Sequence, residues 1–311
     1  MDFLPLILGI AGLLIGTELT IGGALAIARK YHLSEFFVGL IVLSIGSDLP
    51  ELAVAIDAGI KTLGGQDASG VVVGSAIGSV IAQIGFVLGA AGLLSFMTLP
   101  RRFIFKHGTV LLSATVLLYL MARDGNEITR VEGLTLIIFY IVYLVILLSR
   151  ERVPPETPAT VTEDATWPWV RLLVGLVMVI GSSELTVSSV VELARDLEIS
   201  EAVISVLIIG LGTSLPELSI SLAAIIKKRV HLSVGNIIGS NIFDTLVPIS
   251  AAALITPVAF DPAIQADLVY AFVLTTVVLF LFARTRGLQK PEASLVLAIY
   301  IAYVIWKITQ L

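Results

Sequence analysis

The sequence predicts an all-α membrane protein, with ten transmembrane helices arranged as two inverted-topology five-helix repeats. Three observations predict it: apolar runs of spanning length along the whole chain, a scarcity of charge, and motifs that recur at one fixed offset. Crossing a hydrocarbon core takes about 20 apolar residues per helix. Such runs fall at 3–28, 33–61, 69–97, 108–122 and 133–149, then at 168–194, 199–227, 230–256, 267–285 and 291–309. The fourth is short and can extend back through Phe103–Lys106. Charged residues make up 14% of the chain, against about 25% in soluble domains, and mean hydropathy is +1.01. The runs do not alternate polar with apolar residues, which excludes a membrane β-barrel.

The remaining composition narrows the function classes. Cysteine is absent, so a disulfide framework and thiol chemistry are excluded. A net charge of -5, spread over loops and membrane segments, gives no sign of a nucleic-acid partner. Met1-Asp2-Phe3 runs straight into apolar sequence without a basic n-region, so the first run is expected to be a transmembrane helix rather than a cleaved signal. Residues 1–150 form the expected first repeat, 151–167 a polar, proline-bearing cytoplasmic linker, and 168–311 the second repeat. Fourteen of the 19 Lys and Arg residues lie on the side of the linker. The positive-inside rule then predicts a multi-pass protein of the cytoplasmic membrane with both termini outside.

The repeats are explicit. Ser34-Glu35, Gly46 and Leu49-Pro50-Glu51-Leu52 recur as Ser200-Glu201, Gly212 and Leu215-Pro216-Glu217-Leu218, each 166 residues later. Glu18-Leu19-Thr20 recurs as Glu184-Leu185-Thr186 at the same offset. Five helices per copy is an odd number, so the second copy enters the membrane from the opposite face. Inverted repeats of this kind build secondary transporters with a midplane site.

The repeated segments carry the expected site. Proline supplies no N–H to the carbonyl four residues back. Pro50 and Pro216 are therefore expected to break helices 2 and 7 near mid-membrane and free the carbonyls of Gly46 and Gly212. Irregular backbone at that depth is tolerated only where it is buried in protein or lines a cavity. Helical spacing gathers Ser47, Asp48 and Glu51 on one face and Thr213, Ser214 and Glu217 on another. Helix 8 adds Ser240, Asn241 and Asp244; helix 3 adds Ser75, Ser79 and Gln83 as a milder polar stripe. Glycines such as Gly74, Gly78, Gly235 and Gly239 are expected to let these helices approach closely. Ser79, Gln83 and Asn236 read more readily as packing or supporting groups than as ligands.

An ionised carboxylate at a helix centre costs about 2.5–3.5 kcal/mol. Asp48, Glu51, Glu217 and Asp244 have no Lys or Arg at comparable depth, so their counter-charges are expected from solution. Carboxylate, hydroxyl, amide and carbonyl oxygens suit calcium, sodium or protons. With no thiolate, and with His32, His107 and His231 expected near helix ends, a soft transition-metal site is disfavoured. For Glu18 and Glu184, direct binding and a structural role stand equal.

These residues resemble the calcium/cation antiporter superfamily, especially its prokaryotic sodium/calcium exchanger branch. The second repeat carries that signature as Gly212-Thr213-Ser214-Leu215-Pro216-Glu217 and Gly235-Asn236 through Gly239-Ser240-Asn241-Ile242-Phe243-Asp244. The resemblance implies that helices 2, 3, 7 and 8 surround the site, that Glu51 and Glu217 bind calcium, and that helices 1 and 6 move. It carries ligand roles to Thr213, Ser214, Ser240 and Asp244, and to Ser47 and Ser75. The first repeat departs from the pattern: Asp48 replaces a hydroxyl, Ala76 an asparagine, and Ser79 an Asn or Asp. A carboxylate is gained on helix 2 while amide ligands are lost on helix 3.

The expectation is a secondary antiporter, with no cofactor, that exchanges calcium for sodium by alternating access, its partners being inorganic cations and lipid. No obligate protein partner is evident. A calcium/proton antiporter is the alternative, and a passive cation channel is the competing class. An intramembrane serine protease would need a nucleophile and a base at depth, and the sequence places no histidine there.

Overall fold

The computed structural model describes residues 3–98, 101–150, 167–197, 212, 214–285 and 287–310. These residues are almost wholly helical. Among the described residues eight helices are long and apolar enough to span a membrane, and a bent pair makes a ninth span. The protein is an integral, multi-pass membrane protein.

The first half comprises α1 (Leu4–Lys30), α2 (Glu35–Ser47), α3 (Leu49–Leu63), α4 (Ser69–Leu94), α5 (Arg101–Arg123) and α6 (Arg130–Arg150). The second comprises α7 (Pro168–Asp196), α8 (Leu215–Ile226), α9 (Val230–Ile255), α10 (Pro262–Thr285) and α11 (Lys290–Gln310). The expected runs other than the seventh each find a helix or bent helix pair, and α5 extends past Phe103 to Arg101. The seventh is described only from residue 212, and the linker at 151–166, with Ser200 and Glu201, lies outside the described residues.

Prolines set several helix starts. Pro5, Pro50, Pro168 and Pro216 each sit in the first two positions of a helix, where a missing N–H costs nothing. Ser34 caps α2 by accepting a hydrogen bond from the Phe37 N–H at 3.1 Å. Two widened π turns, Val38–Leu43 in α2 and Gln83–Val87 in α4, were not legible from spacing.

Helix α9 is the hub. Its apolar window is 83% buried, whereas that of α11 is 22% buried and faces outward. Around α9 pack α2, α3, α4, α6 and α8. To one side α1 and α7 lie antiparallel against each other. Gly9 meets Thr186, Gly16 meets Val179 and Gly23 meets Leu172. A Cβ on Gly23 would come within 2.6 Å of the Leu172 nitrogen, so only glycine permits this approach.

Two small β contacts tie the loops of the other helices. Strand β1 (Glu127–Ile128) pairs antiparallel with β2 (Val258–Ala259), and the Phe260 N–H donates to the Asn126 carbonyl at 2.8 Å. At the other end of the bundle, Met97 and Leu288 exchange N–H···O bonds of 3.1 and 2.9 Å. Met97, Ile128, Val258 and Leu288 are all buried.

Candidate cation-binding site

The site is built where two helices restart. Asp48 ends the helical run of α2 with φ -86° and ψ 4°, and α3 begins at Leu49 with its axis bent by 40°. Pro50 cannot donate to Gly46, so the carbonyl of Gly46 has no helical partner there. Ser214 repeats this geometry with φ -91° and ψ 11° ahead of Leu215-Pro216. Glu51 and Glu217 consequently both lie in the first turn of a new helix, where the backbone dipole favours negative charge. Helix α9 supplies a further free carbonyl through Pro248, whose missing N–H leaves that of Asp244 without its helical donor.

Ser47, Asp48, Glu51, Ser79, Ser214, Glu217, Ser240 and Asp244 are all buried. Ser75 is half-buried, and Thr213 lies outside the described residues. The carboxylates sit close enough together for Asp244, Glu217 and Glu51 each to bear electrostatically on Asp48. No Lys or Arg forms an ion pair with any of the four among the described residues. Both carboxylate oxygens of Glu51 and of Glu217 lack hydrogen-bond partners, as do Asp48 Oδ2, Asp244 Oδ1 and the Ser240 hydroxyl. Buried charge without partners is costly, and either a bound cation or a proton would relieve it.

The remaining hydrogen bonds define the site's supports. The Ser47 hydroxyl lies 3.4 Å from Asp48 Oδ1. Ser79 and Ser214, from opposite repeats, join their hydroxyls at 3.1 Å. Gln83 Nε2 donates to both Ser79 Oγ and Asp244 Oδ2, each at 3.0 Å. Gln83 was expected as a supporting group, and this bridge between α4 and α9 gives it a specific task. Asn236 donates to Ser221 at 3.2 Å and Asn241 to the Ile237 carbonyl at 2.6 Å, so neither amide nitrogen faces the carboxylates.

Close helix packing holds α9 against α2. A Cβ on Gly239 would stand 2.2 Å from the Leu40 oxygen, and one on Gly235 would stand 2.3 Å from the Phe36 oxygen. Gly74 and Gly78 correct the expectation for helix 3, because a Cβ on either meets nothing within 4 Å. In these matching motifs the tight approach belongs to α9; α4 makes its close contacts further on, where Gly85 meets Tyr300 and Gly92 meets Ala293. His107 also departs from expectation. It is buried in the second turn of α5, with Nδ1 2.8 Å from the Tyr143 hydroxyl, stacked among Phe36 and Phe103.

A cavity of about 820 Å³ leads to this centre. Its floor includes Pro50, Glu51, Ser75 and Pro216, and its wall is the C-terminal half of α7, with Glu184 and Glu192. Among the described residues no three Asp, Glu or His side chains converge as a preformed metal cage. Of the four buried carboxylates, Glu51 lines this cavity.

The chain matches the sodium/calcium exchanger protein family over residues 2–149 and 167–309. It is 31% identical to a putative antiporter, CaxA, of Alkalimonas amylolytica, covering 96% of this chain and 95% of that one. It is 25% identical to the sodium/calcium exchanger MaX1 of Methanosarcina acetivorans, covering 98% of each. Among solved structures, the sodium-calcium exchanger NCX_Mj soaked with zero Na+ and Ca2+ superposes with a TM-score of 0.82 at 30% identity, covering 97% of each chain. A membrane-embedded carboxylate centre reached by a cavity is what a cation antiporter requires, and this chain belongs to the sodium/calcium exchanger protein family.

Proposed function

We propose that this protein exchanges calcium for sodium across the cytoplasmic membrane by alternating access. The observation that carries the reading is the pair Glu51 and Glu217. Each is buried in the first turn of a helix restarted at a proline, with both carboxylate oxygens unpartnered. Calcium is the cargo, held between these two glutamates with oxygens from Ser47, Ser75, Thr213, Ser214 and Ser240. Sodium competes for the same carboxylates together with Asp48 and Asp244, with Ser79 at the margin. Shared occupancy forces one ion to leave before the other binds, and this couples the fluxes.

The reading includes ten helices in two inverted repeats, residues 1–150 and 168–311 joined by a cytoplasmic linker, with both termini outside. The excess of Lys and Arg on the linker side supports that orientation. On that reading the cavity over Glu51 opens to the exterior.

Asp48 favours one second reading. A fourth buried acid, where the second repeat has Ser214, is the group a calcium/proton exchanger would use as proton carrier. Calcium-45 uptake into proteoliposomes with an outward sodium gradient, an outward proton gradient, or neither separates the two. Sodium-driven uptake lost in Glu51→Gln is the expected result. Uptake driven only by protons transfers the assignment to the second reading, and currents beyond transporter turnover would make the protein a channel. Absence of all gradient-driven uptake overturns both antiport readings.

A further inference from the structure

Glu18 and Glu184 are exposed and lie outside the buried carboxylate centre, yet they repeat with the site motifs. Lys61 and Lys227 repeat with them at the same offset of 166. In the structure Glu18, on α1, forms an ion pair with Lys227, immediately after α8. That contact joins the first repeat to the second. Its symmetry counterpart would join Glu184, on α7, to Lys61, near the end of α3. The counterpart is not made. Glu184 instead lines the open cavity, and Lys61 pairs with Asp57 one turn back, at 2.6 Å.

The two pairs lie on opposite sides of the carboxylate centre. Helix α8 starts at mid-depth with Pro216 and ends at Ile226, so Lys227 marks one face. The cavity reaches Pro216 from the other direction and runs along α7 toward Arg195, at the opposite face. The open cavity lies on the face where the pair is not formed.

In inverted-repeat transporters, access alternates as one repeat or bundle rocks against the other around a fixed site. Exchanging the two repeats' conformations converts the Glu18–Lys227 contact into Glu184–Lys61. We infer that Glu18–Lys227 and Glu184–Lys61 are reciprocal latches, each closing one face of the membrane while the other is open. Asp57 has no counterpart, because Ala223 stands at its repeat position. It holds Lys61 aside while the cavity is open, and so biases the resting protein toward this state. The inference rests on the alternating-access reading, although its central test requires no flux.

The absence of native cysteine makes that test clean. Two variants are needed, Glu18→Cys with Lys227→Cys, and Lys61→Cys with Glu184→Cys, each treated with a short bis-methanethiosulfonate in membranes. Both pairs should bridge, and ion conditions that raise one yield should lower the other. In a separate arm, Glu18→Gln should lower the closed population of its face about two- to fivefold, the range for an exposed ion pair. The exchange Glu18→Lys with Lys227→Glu should restore it. Failure of the Lys61/Glu184 pair to bridge under every ion condition, while the other bridges, overturns the inference. So does parallel variation of the two yields. Loss of calcium uptake in the unmodified protein would instead strike the antiporter reading and leave the bridging result standing.

Discussion

Gly239 lets α9 close on α2, and its replacement by alanine has a cost that can be worked from the geometry. The new Cβ would lie 2.2 Å from the Leu40 oxygen and 2.6 Å from the Ser44 hydroxyl, whereas ordinary contact begins at 3.4 Å. The two helices would have to part by roughly 1.2 Å, because the nearer obstacle is backbone and cannot rotate away. Overpacking of this kind costs about 1–3 kcal/mol. Alanine recovers only about 0.5–1 kcal/mol of that through helix propensity. A glycine of the matching motif on α4 provides the control: Gly74→Ala meets nothing within 4 Å and should stabilise by that propensity term alone. Thermal denaturation in detergent, followed by fluorescence-detected size exclusion, should therefore move in opposite directions for the two variants. The same separation would draw Asp244 away from Asp48 at the end of α2, so calcium uptake should fall with stability in Gly239→Ala. A Gly239→Ala protein no less stable than Gly74→Ala would refute the argument from close approach.

Three other outcomes are expected. Gln83→Leu removes the amide donor to Asp244 Oδ2, a loss of about 1.5–3 kcal/mol in the ion-free protein that a bound cation relieves. Calcium should therefore bind more tightly and leave more slowly, read as a lower KM and a lower maximal rate of uptake. Asp48→Ser makes the first repeat match Ser214 of the second; sodium-driven uptake should persist but require a higher sodium concentration, and any proton-driven component should vanish in the same vesicle assay. Tyr303→Phe deletes the 2.9 Å hydrogen bond to Asp267, which also pairs with Lys307 at 2.7 Å, and should lower the thermal midpoint by the equivalent of about 1.5–3 kcal/mol with uptake kinetics unchanged.

Much of this architecture was legible because lipid imposes a simple grammar. Apolar length marks each span, and proline beside an acid at mid-depth has few structural excuses. Pro50-Glu51 thus led directly to the bent pair α2 and α3, Pro216-Glu217 to the start of α8, and both to unpartnered carboxylates. Other features depend on which face of a helix meets which neighbour, and composition does not encode that. Gly74 and Gly239 stand in matching motifs, yet one faces open space and the other a carbonyl. The π turns at Val38–Leu43 and Gln83–Val87 shift side-chain phase without any residue type announcing them. Gln83 looked like a supporting residue because its partner Asp244 is 161 positions away. The proline at 248 was an available signal, since four residues before it stands Asp244, whose carbonyl it frees.

The paired loops at either end of the bundle bear on how the protein can be handled. Surface loops ordinarily accept tags and labels because their backbone is bonded to water. Here Met97 is stitched to Leu288 at one end, and Ile128 pairs with Val258 at the other, each with its side chain buried. A reporter inserted at any of these four positions would unpick a seam between distant parts of the chain. The turn at Gly64–Gln66 is exposed and bonded only to its own neighbours, so a fluorophore or epitope placed there would leave the seams whole.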